Sequence, residues 1–216
     1  MKRQSGSARG RRPSPESSRP SHKSGRQASR LERPRPQSAT RSGAEPNAQS
    51  RQIKLDIAIE RPSPLWAALP GAKELAERAV LASAIACGVA LGEKAEVSVQ
   101  LVDDEQIRAL NARWRGLDQP TNVLSFPAAP VERLAAAPLL GDIVVAYETT
   151  RREAEDERIG MSDHFAHLVV HGFLHLVGFD HQSGDEAEKM EALETRVLAG
   201  LAIADPYAND VPAERE

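Results

Sequence analysis

The chain has 216 residues, a formal net charge of −3, 40% hydrophobic residues and a single cysteine, Cys87. That length suits one domain with appendages. A lone cysteine excludes an intrachain disulfide scaffold and fits a reducing compartment. The longest apolar run, residues 79–92, is too short to span a bilayer and reads as a buried helix, with Cys87 a small core residue.

Residues 1–50 hold twelve Lys or Arg against three Glu, and Leu31 is their only large aliphatic apart from Met1. Such a segment cannot bury enough apolar surface to offset its ordering entropy, so it is expected to be disordered. Its charge attracts nucleic acid. Its Arg-rich, Ser-rich, acid-poor composition also suits an organelle transit peptide, and it lacks the apolar core of a secretory signal. An upstream start codon chosen in error and a solvated tail without function are the remaining alternatives. Beyond residue 50 the net charge is −12. Any nucleic-acid contact there needs a local patch or a metal site rather than the overall field.

From residue 52 the pattern is mixed. Ile53, Leu55, Ile57 and Ile59 alternate with Lys54, Asp56, Ala58 and Glu60, a half-buried strand broken by Pro62 and Pro64. Residues 70–91 read as an amphipathic helix with Leu75, Ala79, Ala82, Ile85 and Val89 inward. Val97, Val99 and Leu101 mark a second strand. Asp103 or Asp104 caps a helix to about Arg113, with Ile107 and Leu110 inward. Val123–Phe126 is a third strand, ended by Pro127, and residues 128–138 read as an Ala/Pro-rich loop. Leu140–Ala146 is the fourth strand, followed by a helix to about Arg158. Ser162 or Asp163 caps the next helix, which Gly178 ends. Asp185–Ala199 is a last, acidic helix, and residues 205–216 are a polar tail. No internal repeat is visible. The sum is an α+β fold: a mixed sheet of about four strands packed with helices.

Five of the six histidines fall between residues 164 and 181. His171, His175 and His181 form H-x-x-x-H-x-x-G-x-x-H. Histidines four apart share one helix face, about 40° apart around it and about 6 Å along it. Gly178 turns the chain so that His181 can swing back. Three imidazoles make an open zinc site, with a fourth position left over, on a helix and the turn after it. His164 and His167, at i−7 and i−4 from His171, read as helix-surface residues or as partners of the ligands. The spacing matches the metzincin proteases, H-E-x-x-H-x-x-G-x-x-H. Here Gly172 replaces the glutamate that serves them as general base, which disfavours peptide hydrolysis. A second informative stretch is the polar loop from Arg113 to Asn122. By composition Arg115 reads first as a surface charge and second as a planar fork for phosphate. Asp142 and Asp180 are candidate partners of imidazole N–H groups or, equally, turn and cap residues.

Taken together, these stretches resemble the YbeY family, bacterial rRNA maturation factors described as metal-dependent endoribonucleases. The matching pieces are Leu110-Asn111, Trp114-Arg115-Gly116, Pro120 through Pro127, Leu140-Gly141-Asp142-Ile143, the histidine motif with Asp180-His181, and Glu188, Met190, Glu191 and Glu194. The resemblance covers about residues 53–207. It implies an α+β nuclease domain over residues 52–204, between the basic segment 1–50 and the tail 205–216. It implies one Zn²⁺ per chain on His171, His175 and His181, and Arg115 acting on the RNA phosphate. Phe179 stands where many members carry Tyr. The implied function is a single-strand-specific endoribonuclease in 16S rRNA 3′-end maturation and ribosome quality control. Its partners would be 16S precursor rRNA, the small ribosomal subunit and ribosome-assembly proteins, in the cytoplasm and not at a membrane. With no base at position 172, either a metal-activated water or the RNA 2′-OH would attack. The alternatives are a non-catalytic ribosome-assembly factor with a structural zinc, and a metallopeptidase.

Overall fold

The computed structural model describes residues 54–181 and 183–208. The chain divides into two units, Met1–Ala48 and Gln49–Glu216. The expectations for residues 1–50, for Ile53 and for the tail beyond residue 208 lie outside the described residues. Among the described residues no helix is long and apolar enough to cross a membrane.

The elements run β1 (Leu55–Glu60), α1 (Ala72–Ala86), β2 (Ala95–Val102), α2 (Asp104–Arg115), β3 (Val123–Pro127), β4 (Leu139–Ala146), α3 (Tyr147–Glu157), α4 (Met161–Leu176) and α5 (Gly184–Gly200). The strands form one mixed sheet in the order β1-β2-β4-β3. β1, β2 and β4 are parallel, and β3 runs antiparallel to β4 as an edge strand. Parallel neighbours need crossovers, which α1 supplies between β1 and β2. The expected α+β class and four strands are what the structure has.

The two sheet faces are covered differently. One carries the main core, in which Trp66, Phe165, Phe173 and Ile143 are fully buried. The other is covered by α2, with Ile107, Leu124 and Val144 in a smaller cluster. Each such buried aliphatic or aromatic side chain contributes about 1.5–3 kcal/mol relative to exposure. The β3–β4 register pairs Ser125 with Ile143 and Phe126 with Asp142. Strand alternation and cross-strand pairing then put Ser125 and Ile143 under α4, and Phe126 and Asp142 on the α2 side.

Several details differ from the sequence reading. Helix α1 is shorter than 70–91, and its buried stripe is Ala72, Ala76, Ala79, Val80, Ser83 and Ala84. Ile85 points outward at 69% exposure, and Val89 lies past the helix. Small residues, not the largest ones, face the neighbouring helices. Cys87 is half-buried at the helix end, where it packs against the main core. Two 3₁₀ turns were not visible in the apolar periodicity. Pro64–Ala68 carries the buried Trp66, whose Nε1 donates to the Val102 carbonyl at 2.8 Å. Val131–Ala136 tucks Leu134 under the loop. Asp103 caps α2 in a reciprocal box with Gln106, whose loss would cost about 1 kcal/mol. Helix α4 has Gly160 at its cap position, so Ser162 and Asp163 sit inside its first turn. There the Asp163 charge favours the helix dipole.

Helix α4 is the centre of the molecule. From His164 to Leu176 only His167, His171 and His175 are partly exposed; every other side is buried. Gly172 faces the sheet. A Cβ there would lie 2.8 Å from Ile143 Cγ2 and 3.1 Å from Ser125 Oγ. The helix therefore lies closer to β3 and β4 than any side chain at 172 allows. Gly172→Ala is expected to destabilise the domain by about 1 kcal/mol: an overpacking cost of about 1–3 kcal/mol exceeds a helix-propensity gain of about 1 kcal/mol. Gly200→Ala, which meets nothing within 4 Å, should not destabilise. Urea denaturation of the two variants beside the wild type checks this.

Candidate metal centre and its surroundings

The last two turns of α4 and the chain just after it build the site. His171 and His175 stand on the exposed stripe of the helix. Val177 ends the helix, and Gly178 follows at φ +92°, a left-handed conformation that suits glycine. A Cβ at 178 would also run into Val131 Cγ2. The turn brings His181 back, and the ligand atoms of His171, His175 and His181 lie within 4.8 Å of one another. The Nε2 atoms of His171 and His175 are 3.0 Å apart. Two nitrogens on one tetrahedral zinc, each about 2.0–2.1 Å from it, would stand roughly 3.3 Å apart. That pair thus has about the separation a small divalent cation requires, and the third imidazole lies near enough to join it.

The tautomers agree with that fit. His171 Nδ1 is 2.8 Å from Glu194 Oε1 of α5. Glu194 is 1% exposed. Burial alone would raise its pKa, but hydrogen bonds with His167, His171 and Tyr207 outweigh it and hold the carboxyl at about 2. An ionised carboxylate only accepts, so the proton must sit on His171 Nδ1 and the lone pair on Nε2, facing the other imidazoles. Burial, with His171 and His181 beside it, pushes the His175 imidazole below its ordinary pKa. That favours the neutral, ligating form.

Glu194 serves more than His171. The Tyr207 hydroxyl donates to its Oε2, and His167 Nε2 lies 3.5 Å from the same oxygen and 3.3 Å from the Tyr207 hydroxyl. Tyr207 falls in the stretch read as a polar tail, yet it is part of this buried network. Burial and the Glu194 charge push its phenol pKa up. His167 is therefore a partner of the ligand's partner. His164 is different: it is buried, and its Nε2 lies 2.9 Å from Glu153 Oε2. Glu153 also accepts from Asn122 Nδ2 at 3.0 Å. Burial would raise the Glu153 pKa, but the bonds from His164 and Asn122 hold it below the usual range. This pair ties α3 and α4 to the loop before β3.

A cavity of about 590 Å³ opens over the three histidines, bounded by Arg115, Asn122, Ser125 and Asp180 among others. Arg115 ends α2, is exposed, and makes no hydrogen bond or ion pair with a described residue. The loop after it is pinned twice. Arg108 makes a two-pronged pair with Asp118 at 2.7 and 2.9 Å, and Asn111 Nδ2 donates to the Gln119 carbonyl at 2.8 Å. Of the two aspartates considered as imidazole partners, Asp180 lines this cavity and its Oδ1 accepts the His181 backbone N–H at 2.8 Å. Asp142 points to the opposite sheet face and makes no side-chain hydrogen bond with a described residue. The carboxylate that orients an imidazole is Glu194, 23 residues beyond His171 and on another helix. The sequence signal for it is the helical spacing of Met190, Leu193, Val197 and Leu198, which are buried and put Glu194 on the inward face of α5.

An α+β domain whose open cavity gathers three imidazoles and a free guanidinium has the make-up of a hydrolase with a candidate metal centre. The model of the family described as "Endoribonuclease YbeY" matches residues 71–202. The chain belongs to the YbeY family of endoribonucleases. An Endoribonuclease YbeY of a Bradyrhizobium species is 52% identical over 148 residues, 67% of this chain and 87% of the relative. One from Bradyrhizobium diazoefficiens is 53% identical over 148 residues, 67% and 80% of the two chains. One from Azorhizobium caulinodans is 50% identical over 162 residues, 75% and 99%. A solution structure from Thermotoga maritima, 26% identical, aligns with 74% of this chain and 99% of its own at a TM-score of 0.44.

Glu194→Gln puts an amide beside His171 Nδ1 and removes the charge. It is expected to weaken zinc affinity by about 10–100-fold, read by titration against a competing chelator, with the far-UV spectrum unchanged.

Proposed function

We propose that this chain is a single-strand-specific, zinc-dependent endoribonuclease acting in the cytoplasm on 16S precursor rRNA, in 3′-end maturation and ribosome quality control. The small ribosomal subunit and its assembly proteins are the partners of this reading. The observation that carries it is one cavity with two kinds of chemistry: three imidazoles that can hold a metal, and Arg115, a cation without a partner among the described residues. The name carried by the relatives, Endoribonuclease YbeY, points the same way.

Each residue then has a task. His171, His175 and His181 hold the ion, and a zinc ion so held supplies Lewis acidity toward water and phosphoryl oxygen. Glu194, braced by Tyr207, fixes the His171 ring. Arg115 binds the phosphate through its planar fork and stabilises the charge that grows in the transition state. Residue 172 contributes no proton acceptor, because a side chain there has no room. That separates this site from the glutamate-bearing peptidase arrangement it resembles in spacing. We place the catalytic unit from about residue 52 to Tyr207, with the basic segment 1–50 outside it.

Arg115→Ala is expected to keep its zinc and lose about 100-fold or more in cleavage of 16S precursor RNA. His175→Ala should lose both. Metal analysis of each purified variant beside the cleavage assay checks this. Full cleavage by His175→Ala that still carries stoichiometric zinc would refute the mechanism. Normal rRNA processing in cells carrying a folded Arg115→Ala chain would favour the non-catalytic assembly factor.

A further inference from the structure

On the far side of edge strand β3 from the histidines lies a second recess, of about 480 Å³, bounded by Trp114, Phe126, Asp142 and Ala128. Trp114 is 61% exposed, although the chain's only other tryptophan, Trp66, is fully buried. Its ring centroid stands 6.0 Å from that of Phe126, and the Arg113 guanidinium is 5.1 Å from the ring centre. A single exposed apolar residue is ordinary in a soluble domain. Three further observations set this one apart. Phe126 is only half-buried and extends the apolar wall. Asp142, its cross-strand partner in the β3–β4 register, brings a carboxylate with no hydrogen-bond partner among the described residues to the same face. The recess also borders the candidate metal cavity, because Ser125 and Pro127 line both.

We propose that this recess is a base-binding slot for the nucleotide next to the scissile phosphate, and that it prefers bases with an exocyclic amino group over uracil. The inference rests on the nuclease reading of the neighbouring cavity. Trp114 and Arg115 are consecutive at the end of α2, so a phosphate held by Arg115 delivers the adjoining nucleotide to Trp114. The strand crosses the exposed edge of β3 on the way. Aromatic faces stack on any base that is not already paired, which selects single-stranded RNA. The Asp142 carboxylate is an acceptor only. It takes the N4 amino group of cytosine or the N6 amino group of adenine, and it opposes the O4 acceptor that uracil shows at the same edge.

The test uses the full chain and non-cleavable 2′-O-methyl octamers of cytidine, adenosine or uridine, with affinity read by fluorescence anisotropy. The wild type should bind the cytidine and adenosine octamers about ten-fold more tightly than the uridine octamer. Trp114→Ala should weaken cytidine-octamer binding about ten-fold, and Trp114→Phe, which keeps a ring, should retain most of it. Asp142→Asn should bring the three octamers close to parity. Both positions face the recess, so thermal melting should stay near the wild type. Wild-type affinity in Trp114→Ala, or equal affinity of the wild type for all three octamers, would overturn the slot. Loss of cleavage in Arg115→Ala together with unchanged binding and cleavage in Trp114→Ala would remove the slot and leave the nuclease reading standing. Trp114-dependent, base-selective binding by a wild type that cleaves no RNA would keep the slot and remove the nuclease reading.

Discussion

Helix α4 rests directly on strands β3 and β4 because residue 172 has no side chain, and most of the site follows from that contact. With Ile143 Cγ2 and Ser125 Oγ inside the space a Cβ would need, helix and sheet share one close interface. Interiors packed at near-crystalline density transmit such a contact to everything built on it. His171 precedes Gly172 and His175 follows it by three, so both rings are held at a fixed height above the edge of the sheet. The carboxylate that a metzincin carries at this point would collide with Ile143. The absent general base is thus a packing consequence as well as a chemical one: a close helix–sheet contact and a glutamate at 172 exclude each other.

A second constraint works from behind. Glu194 is an ionised group at 1% exposure, and an isolated buried carboxylate is costly. Its charge is tolerated because His171, His167 and Tyr207 all stand at its two oxygens. Hydrogen bonds to a charged acceptor are stronger than neutral ones, and the removal of any one partner leaves the charge less satisfied. The carboxylate therefore joins three parts of the chain: α4, α5 and the segment around Tyr207. Glu153 plays a similar part on the other flank, where it joins His164 of α4 to Asn122 at the mouth of the cavity. The histidines that do not face the cavity are thus used to hold the elements that do.

How much of this was legible in the sequence depends on range. The Gly178 turn and the strands with alternating residues are local patterns that the structure shares, because period and turn chemistry act over a few residues; the histidine motif is local too, and its three rings lie together. The Asp103 cap was visible for the same reason. What escaped depends on tertiary placement. The partner of His171 lies on another helix, and the apolar spacing that turns Glu194 inward does not say which imidazole it meets. Tyr207 looked like tail because polar neighbours surround it, while its ring and hydroxyl are used by a network built elsewhere. Of the readings of Asp142, the imidazole partner fails, because its side chain is on the other face of the sheet. A single step along a strand reverses the face, and only the register with β3 shows that Ile143, not Asp142, lies under the histidine helix. Ile85 points outward against its expected place, since small residues line the α1 interface, and Trp66 is carried inward by a 3₁₀ turn that has no apolar period.

The position of β3 at the sheet edge gives the two faces a shared boundary. A site placed over a central strand would be closed off on both sides by neighbouring strands. Here, among the described residues, β3 has a partner on one side only, so the cavity above it and the recess below it flank an edge one strand wide. Helix α2 ends at that edge. Arg115 faces the upper cavity and Trp114 the lower recess, and consecutive helix residues diverge by about 100° around the axis. One helix terminus thus serves both faces, provided that it is held in place. The Arg108–Asp118 pair and the Asn111–Gln119 bond anchor the chain just beyond it. A flexible polymer with a phosphate at every unit and a flat ring beside it is the kind of ligand that can follow such an edge. A folded polypeptide substrate offers no comparable repeat of charge and plane. The architecture therefore favours phosphodiester over peptide chemistry independently of the vacancy for a base at residue 172.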